Sequence, residues 1–285
     1  MNAIRQTLTL SAELHLSYLT WGTGNPVMLL HGLADHGLVW QSLAEALSDA
    51  STADSHPPYL CIAPDLRGHG ESSKPAETDY SADLLAADLE ALAQHLNLQQ
   101  VDVVAHSWAA KVALIWARQQ PQRIRSLALV DPFFVNRLPG VFRPTLPIFY
   151  RVLPFLKVMG PFESYEAAVD VARGLKQYRG WSALQAAVFQ AGMAQKPDGQ
   201  WVSKFAIAAR NGVFQDVLQL AGLTEPLYTP TCLMLPEQGL NRRAWQLKPY
   251  QRYLTNLTTV SIPGNHWPHL VEPEAFNQAV VDFLR

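Results

Sequence analysis

The chain has 285 residues, 48% hydrophobic and 16% charged, with a formal net charge of -2 at pH 7. That length suits one large domain carrying an insertion, or two ordinary domains, with a sizeable buried core in either case. The near-neutral charge and the lack of a Lys/Arg block exclude the electrostatic footprint of a nucleic-acid or anionic-membrane binder, leaving a small neutral or apolar molecule as the expected partner.

At the N-terminus Arg5 is followed by alternating polar and apolar residues, so no secretory signal is expected. No run of ~18 apolar residues exists, so no membrane span or stable membrane insertion is expected. The alternation around Leu8 and Leu10, and again at Leu14, Leu16 and Tyr18, predicts an antiparallel hairpin with one solvated face. Residues 27–30 and 60–63 are short apolar runs bounded by Pro or Gly, as in parallel strands buried on both faces. Cys61 and Cys232 lie in such runs far apart, which predicts buried thiols in a reducing, cytoplasmic compartment. Ser81 precedes Leu85, Leu89, Leu92 and Leu96 at helical spacing, with Asp83 in the first turn where the helix dipole favours negative charge.

Residues 101–104 form a β-branched strand pattern that breaks at Ala105-His106-Ser107-Trp108-Ala109. Helical spacing follows at once through Val112, Leu114, Ile115 and Trp116. Strand, sharp turn and helix around a serine make a nucleophile elbow, with alanine at both positions where glycine is usual. The plainer reading is a serine that only caps a turn. Residues 126–130, 231–235 and 258–262 predict three more buried strands, and 274–284 a closing amphipathic helix, so the order is that of a doubly wound α/β sheet.

Between Asp131 and Pro226 the strand pattern disappears for ~95 residues, far beyond an ordinary connection. This stretch is rich in aromatics, among them Phe142, Phe149, Tyr150, Phe155, Tyr165, Tyr178, Trp181, Phe189 and Trp201. Prolines at 139, 144, 147, 154 and 161 divide its first half. We read 132–226 as a helical cap over the carboxyl edge of the sheet, where open α/β sheets bind ligands, and 1–131 with 227–285 as the core domain. The cap aromatics suit an apolar ligand or, equally, the cap's own core. The apolar stretch 141–159 is expected to pack in the core rather than on a membrane.

Four motifs now stand in order: His31-Gly32, Asp65-Leu66-Arg67-Gly68-His69-Gly70-Glu71-Ser72, the elbow at Ser107, and Gly264-Asn265-His266-Trp267-Pro268. Together they resemble the α/β-hydrolase fold superfamily, specifically its capped serine-hydrolase branch of esterases, C–C bond hydrolases, lactonases and cofactor-free haloperoxidases. The resemblance covers the whole chain, the cap only loosely. It implies a mostly parallel, eight-stranded α/β sheet with the cap inserted after the sixth strand, and no cofactor.

A serine hydroxyl needs a base within hydrogen-bond reach, and His266 stands where these relatives keep theirs. His269 is its rival, without the preceding Gly-Asn. Oxyanion donors would be the backbone N–H groups of Trp108 and, by resemblance, Leu33. His31 is assigned to holding its loop. The acid departs from the pattern, because most relatives carry it in a Gly-x-x-Asp turn after the seventh strand. Here that turn reads Pro236-Glu237-Gln238-Gly239. Asp131, at the end of the sixth strand, is the first candidate, Glu237 the alternative, and a missing acid the third reading. Asp65 and Arg67 read as a salt-bridged scaffold, and Gly22-Thr23-Gly24 as a turn, since it precedes a strand. No Cys or His pair has closed zinc-site spacing, although His266 and His269 are three apart, so no metal is expected.

These residues point to a serine hydrolase acting through an acyl-enzyme on an ester or related acyl bond of a small to medium, mainly apolar substrate. C–C bond hydrolysis, a non-hydrolytic lyase reaction and a non-catalytic small-molecule receptor are the alternatives on the same scaffold. Aspartate-nucleophile chemistry, as in haloalkane dehalogenases and epoxide hydrolases, is disfavoured by the serine. The substrate, leaving group and oligomeric state are not specified by these residues.

Overall fold

The structure, a computed structural model, describes residues 3–49, 58–76, 79–133, 135–145, 148 and 153–285. Among these residues ten strands are seen: β1 Ile4–Thr9, β2 His15–Trp21, β3 Asn25–Leu30, β4 Tyr59–Pro64, β5 Val101–His106, β6 Ile124–Val130, β7 Met193–Gln195, β8 Trp201–Ser203, β9 Thr231–Gln238 and β10 Leu257–Asn265. Eight of them form one sheet in the order β1-β2-β4-β3-β5-β6-β9-β10. β1 and β2 are the expected hairpin, with Leu8 opposite Leu16, and β2 also runs antiparallel to β4. The remaining pairings are parallel. β1 is largely exposed, whereas Leu16 to Trp21 of β2 are all buried, so only the edge strand has the solvated face expected of both.

Strand neighbours divide between two cores. Met28 and Leu30 of β3 and Val103 and Ala105 of β5 face Leu85, Leu89 and Leu92 of α2 (Ala82–His95) and Val112 of α3 (Ala109–Gln119). Val27, Leu29 and Val104 face Leu43 and Leu47 of α1 (Gln41–Ser48) and Phe276 and Val280. Helices on both faces explain the uninterrupted apolar runs. Ser81 caps α2 by accepting from the Leu84 N–H at 3.3 Å, as its sequence signature predicts. Cys61 and Cys232 are buried free thiols.

The segment between β6 and β9 carries α4 Tyr165–Arg173, α5 Ala183–Ala191 and α6 Ile207–Val217. It also carries a short hairpin, β7 with β8, that the sequence pattern did not suggest. Ser164 and Ser182 cap α4 and α5. Tyr165, Tyr178, Trp181 and Trp201 gather around Phe189 and one another at centroid separations of 5.1–6.0 Å. These aromatics are therefore mostly the segment's own core. Leu156 and Val158 pack inward as expected, but Val141, Phe142 and Ile148 are exposed. Pro147, Phe149 and Tyr150 lie outside the described residues. After β9 come α7 Ala244–Tyr253, the single turn α8 Pro268–Val271 and the closing α9 Pro273–Leu284.

Polar ties hold this segment to the sheet domain. His36 Nε2 donates to the Val188 carbonyl at 2.9 Å, and the Ala206 N–H donates to the Gly68 carbonyl at 2.9 Å. Lys111 of α3 is fully buried and reaches Asp216 of α6 at 2.5 Å. The other carboxylate oxygen of Asp216 accepts from the Ala82 N–H at the start of α2. Among the described residues, no helix is long and apolar enough to cross a membrane.

Candidate active site

Ser107 follows β5 directly and sits at φ 56°, a left-handed conformation that a side-chain-bearing residue holds only when its surroundings force it. The forcing contacts are visible. The Ser107 N–H donates to the Val130 carbonyl at 2.9 Å, and the Ser107 carbonyl accepts from the Phe133 N–H at 3.1 Å. Ala105 and Ala109 on either side are completely buried, so methyl groups fit where glycine is usual.

The Ser107 hydroxyl lies 2.9 Å from His266 Nε2, and His266 Nδ1 lies 2.6 Å from Asp131 Oδ2. Asp131 is wholly buried. Besides His266 its carboxylate accepts from the Leu240 N–H at 2.8 Å, the Asn241 N–H at 3.2 Å and the Asn241 side-chain amide at 2.9 Å. Three donors from one loop hold it in place while its remaining lone pair meets the imidazole. Glu237 is exposed at the end of β9. Of the two acids read from the sequence, the structure brings Asp131 to His266 and leaves Glu237 outside.

The vacant turn after β9 has a steric counterpart. A Cβ on Gly239 would stand 2.7 Å from Asp131 Oδ2 and 2.9 Å from its Cγ. The space that a side chain at 239 would fill is thus taken by a carboxylate arriving from β6. The register across β6 and β9 brings it there, with Val130 opposite Met234 and the Asp131 N–H donating to the Met234 carbonyl.

Leu33 and Trp108 both line a cavity of about 340 Å³ that opens over Ser107 and His266. Among the described residues, neither backbone N–H donates to a protein acceptor. The apolar wall includes Phe133, Phe155, Leu175, Phe214 and Trp267, and His106, Lys176, Gln177 and Gln238 are polar residues in the lining. Only Phe155 of the described aromatics singled out between 132 and 226 reaches the cavity. Phe133 and Phe214 were not singled out at all, since a phenylalanine in a helical or loop pattern carries no local mark of facing a ligand.

His31 does hold its loop: Nε2 accepts from the Leu66 N–H at 2.9 Å, and Nδ1 donates to the Gly32 carbonyl at 2.8 Å. Burial pushes its pKa down to about 4. Asp65 and Arg67 are scaffold residues, but not partners of each other. Asp65 pairs with Arg5 at 2.8 Å and accepts from the Gly37 N–H, whereas Arg67 makes a two-pronged contact with Asp88 at 2.6 and 2.8 Å. His269, the rival base, is buried without a hydrogen bond to either ring nitrogen, so it makes none to Ser107.

Residues 25–206 match the sequence profile of the alpha/beta hydrolase fold. Epoxide hydrolase 2 from Siraitia grosvenorii is 29% identical over 184 residues, covering 62% of this chain and 56% of that protein. The soluble epoxide hydrolase of Corynebacterium sp. (strain C12) is 32% identical over 128 residues, 45% of this chain and 40% of its own. The chain thus spans about half the length of the curated relatives it matches. Among solved structures, E-2-(acetamidomethylene)succinate hydrolase superposes with a TM-score of 0.82 over 99% of both chains at 22% identity, which speaks to the fold.

Proposed function

Since the chain belongs to the alpha/beta hydrolase fold family, we propose that it is a serine hydrolase that cleaves an ester or related acyl bond of a small to medium, mainly apolar substrate. The observation that carries this reading is the continuous hydrogen-bonded chain from Ser107 through His266 to Asp131 at the floor of an apolar cavity. In it, His266 takes the Ser107 proton as Oγ attacks the carbonyl carbon, and Asp131 fixes the tautomer and stabilises the imidazolium. The free N–H groups of Leu33 and Trp108 receive the negative charge on the carbonyl oxygen, a role worth about 3 kcal/mol per donor in barrier height. His266 then returns the proton to the leaving group, and water reverses the sequence to release the acid. We read 132–226 as the cap that closes the cavity, because Phe155, Leu175 and Phe214 come from it.

The relatives named epoxide hydrolases do not alter this reading. A carboxylate that opens an epoxide leaves an ester, which water can cleave, whereas a serine alkoxide would leave an ether, which it cannot. Serine at the elbow therefore favours acyl substrates.

A panel of p-nitrophenyl esters, lactones and vinylogous diketones tests the proposal, together with labelling by a fluorophosphonate. Wild type should turn over at least one acyl substrate and take up one phosphonyl group on Ser107, both abolished in Ser107→Ala and His266→Ala. Full ester hydrolysis by Ser107→Ala would sink it. Turnover of the diketones alone would move the reaction to C–C bond cleavage, and absence of labelling would make the fold a receptor.

A further inference from the structure

We propose that Asp35, His106 and His269 form a structural site for one divalent cation of the zinc type, buried beneath the loop that carries His266. The three residues come from three separate segments: the loop after β3, the last position of β5, and α8. One ligand atom from each lies within 4.8 Å of the other two. Their side chains are 7%, 1% and 2% exposed. The site is independent of the proposed hydrolysis.

Hydrogen-bond accounting indicates an occupant. Asp35 Oδ2, His106 Nδ1 and both ring nitrogens of His269 are buried with no hydrogen-bond partner, which leaves their desolvation uncompensated. His106 Nε2 is 2.7 Å from the His266 carbonyl oxygen. A carbonyl only accepts, so Nε2 carries the hydrogen and Nδ1 presents a bare lone pair. Asp35 Oδ2 faces this lone pair at 3.9 Å. Two acceptors thus face each other across a gap, with a ring nitrogen of His269 within 4.8 Å of both. The gap is also kept open: a Cβ on Gly32 would intrude to 2.6 Å from His106 Nδ1 and 3.4 Å from Asp35 Oδ2.

The donor set suits a cation. Two imidazoles and a carboxylate are a familiar ligand combination for zinc and its neighbours. A ligating histidine characteristically donates its other N–H to a carbonyl or carboxylate, as His106 does. No Lys or Arg pairs with Asp35 among the described residues. Closing on an ion at the usual ~2.0–2.2 Å requires each ligand atom to move by roughly half an ångström. Through His106 the ion would be tied to the backbone of His266. No local spacing announces the site, because its ligands stand far apart in the chain.

The test uses the full-length chain, treated with chelator and titrated with Co2+, followed by visible spectroscopy, metal analysis after gel filtration, and melting with Zn2+. One equivalent should bind with a d–d absorption band and raise the melting temperature. Asp35→Asn keeps the shape and loses the charge, and should weaken binding at least ~10-fold while retaining native circular dichroism. His269→Gln should do the same. Absence of a one-to-one cobalt complex and of any melting shift with Zn2+, Co2+, Ni2+ or Mn2+ in wild type would overturn the proposal, leaving a proton or water between the ligands. Wild-type cobalt binding by folded Asp35→Asn would overturn it equally, and that variant alone decides if His269→Gln does not fold.

Discussion

Replacing Lys111 with methionine isolates the energy of the buried tie between α3 and α6. Lys111 and Asp216 are 0% and 3% exposed, and their contact of 2.5 Å is the only ion pair of either among the described residues. Removing the lysine leaves Asp216 buried with the Ala82 N–H for company. Such an orphaned charge costs about 3–5 kcal/mol, a large share of the roughly 5–15 kcal/mol that holds a domain folded. Asp216→Leu leaves a buried ammonium instead, and its penalty has a ceiling. Neutralising a lysine of ordinary pKa at pH 7 costs about 4.6 kcal/mol, and that ceiling falls by about 1.4 kcal/mol for each unit of rising pH. The double variant removes both charges and leaves only the Ala82 N–H unpaired, at about 1–3 kcal/mol. Urea unfolding of the four proteins should therefore return a coupling energy of at least about 3 kcal/mol, and an Asp216→Leu deficit that shrinks between pH 7 and 9. Additive single effects, or a deficit independent of pH, would show that the pair is not the buried tie its geometry describes.

Three further outcomes follow from the site and its surroundings. Asp131→Asn should lower turnover by about 10⁴-fold, with Glu237→Gln within twofold of wild type, and steady-state kinetics giving the opposite order would remove Asp131 from its proposed role. Burial depresses the His31 pKa from 6.5 to about 4, so in that window the unfolded chain holds a proton that the folded chain lacks. Its contribution is complete above pH 6.5 and lost as pH falls, at about 1.4 kcal/mol per unit. Stability of wild type relative to His31→Gln, followed by denaturation from pH 7.5 to 4.5, should show that slope, and parallel curves would contradict it. Leu175→Trp places an indole in the cavity, so it should raise KM for an octanoyl ester by about 10-fold while sparing the acetyl ester. An unchanged ratio would mean the acyl chain lies elsewhere.

Much of this was legible because it is written in local patterns. The elbow at Ser107 combines a strand period, a small-residue turn and a helix period within about fifteen residues, and α2 declares itself by Ser81, Asp83 and the leucines at 85, 89, 92 and 96. The acid was ambiguous because its assignment depends on register between β6 and β9, strands separated by the whole insertion. Asp131 and Glu237 both end strands, and only the sheet shows which carboxylate turns inward. The β7 and β8 hairpin escaped notice because three-residue strands are too short to display alternation. The salt-bridged roles of Asp65 and Arg67 were legible but their partners were not, since Asp88, the partner of Arg67, lies on α2 and is brought close only by packing.

Gly239 ends up making room for a carboxylate delivered by β6. Under the proposed roles, the loop after β9 has been relieved of proton handling, and its adjoining residues Gln238 and Leu240 face the cavity instead. Evolutionary drift in those two side chains can therefore retune what the protein accepts without disturbing the relay from Ser107 to Asp131. Were the acid in this loop, selection on chemistry and selection on ligand choice would fall on the same few residues. Here they fall on different strands, which makes the β9 loop a natural place to begin when evolving the protein toward new substrates.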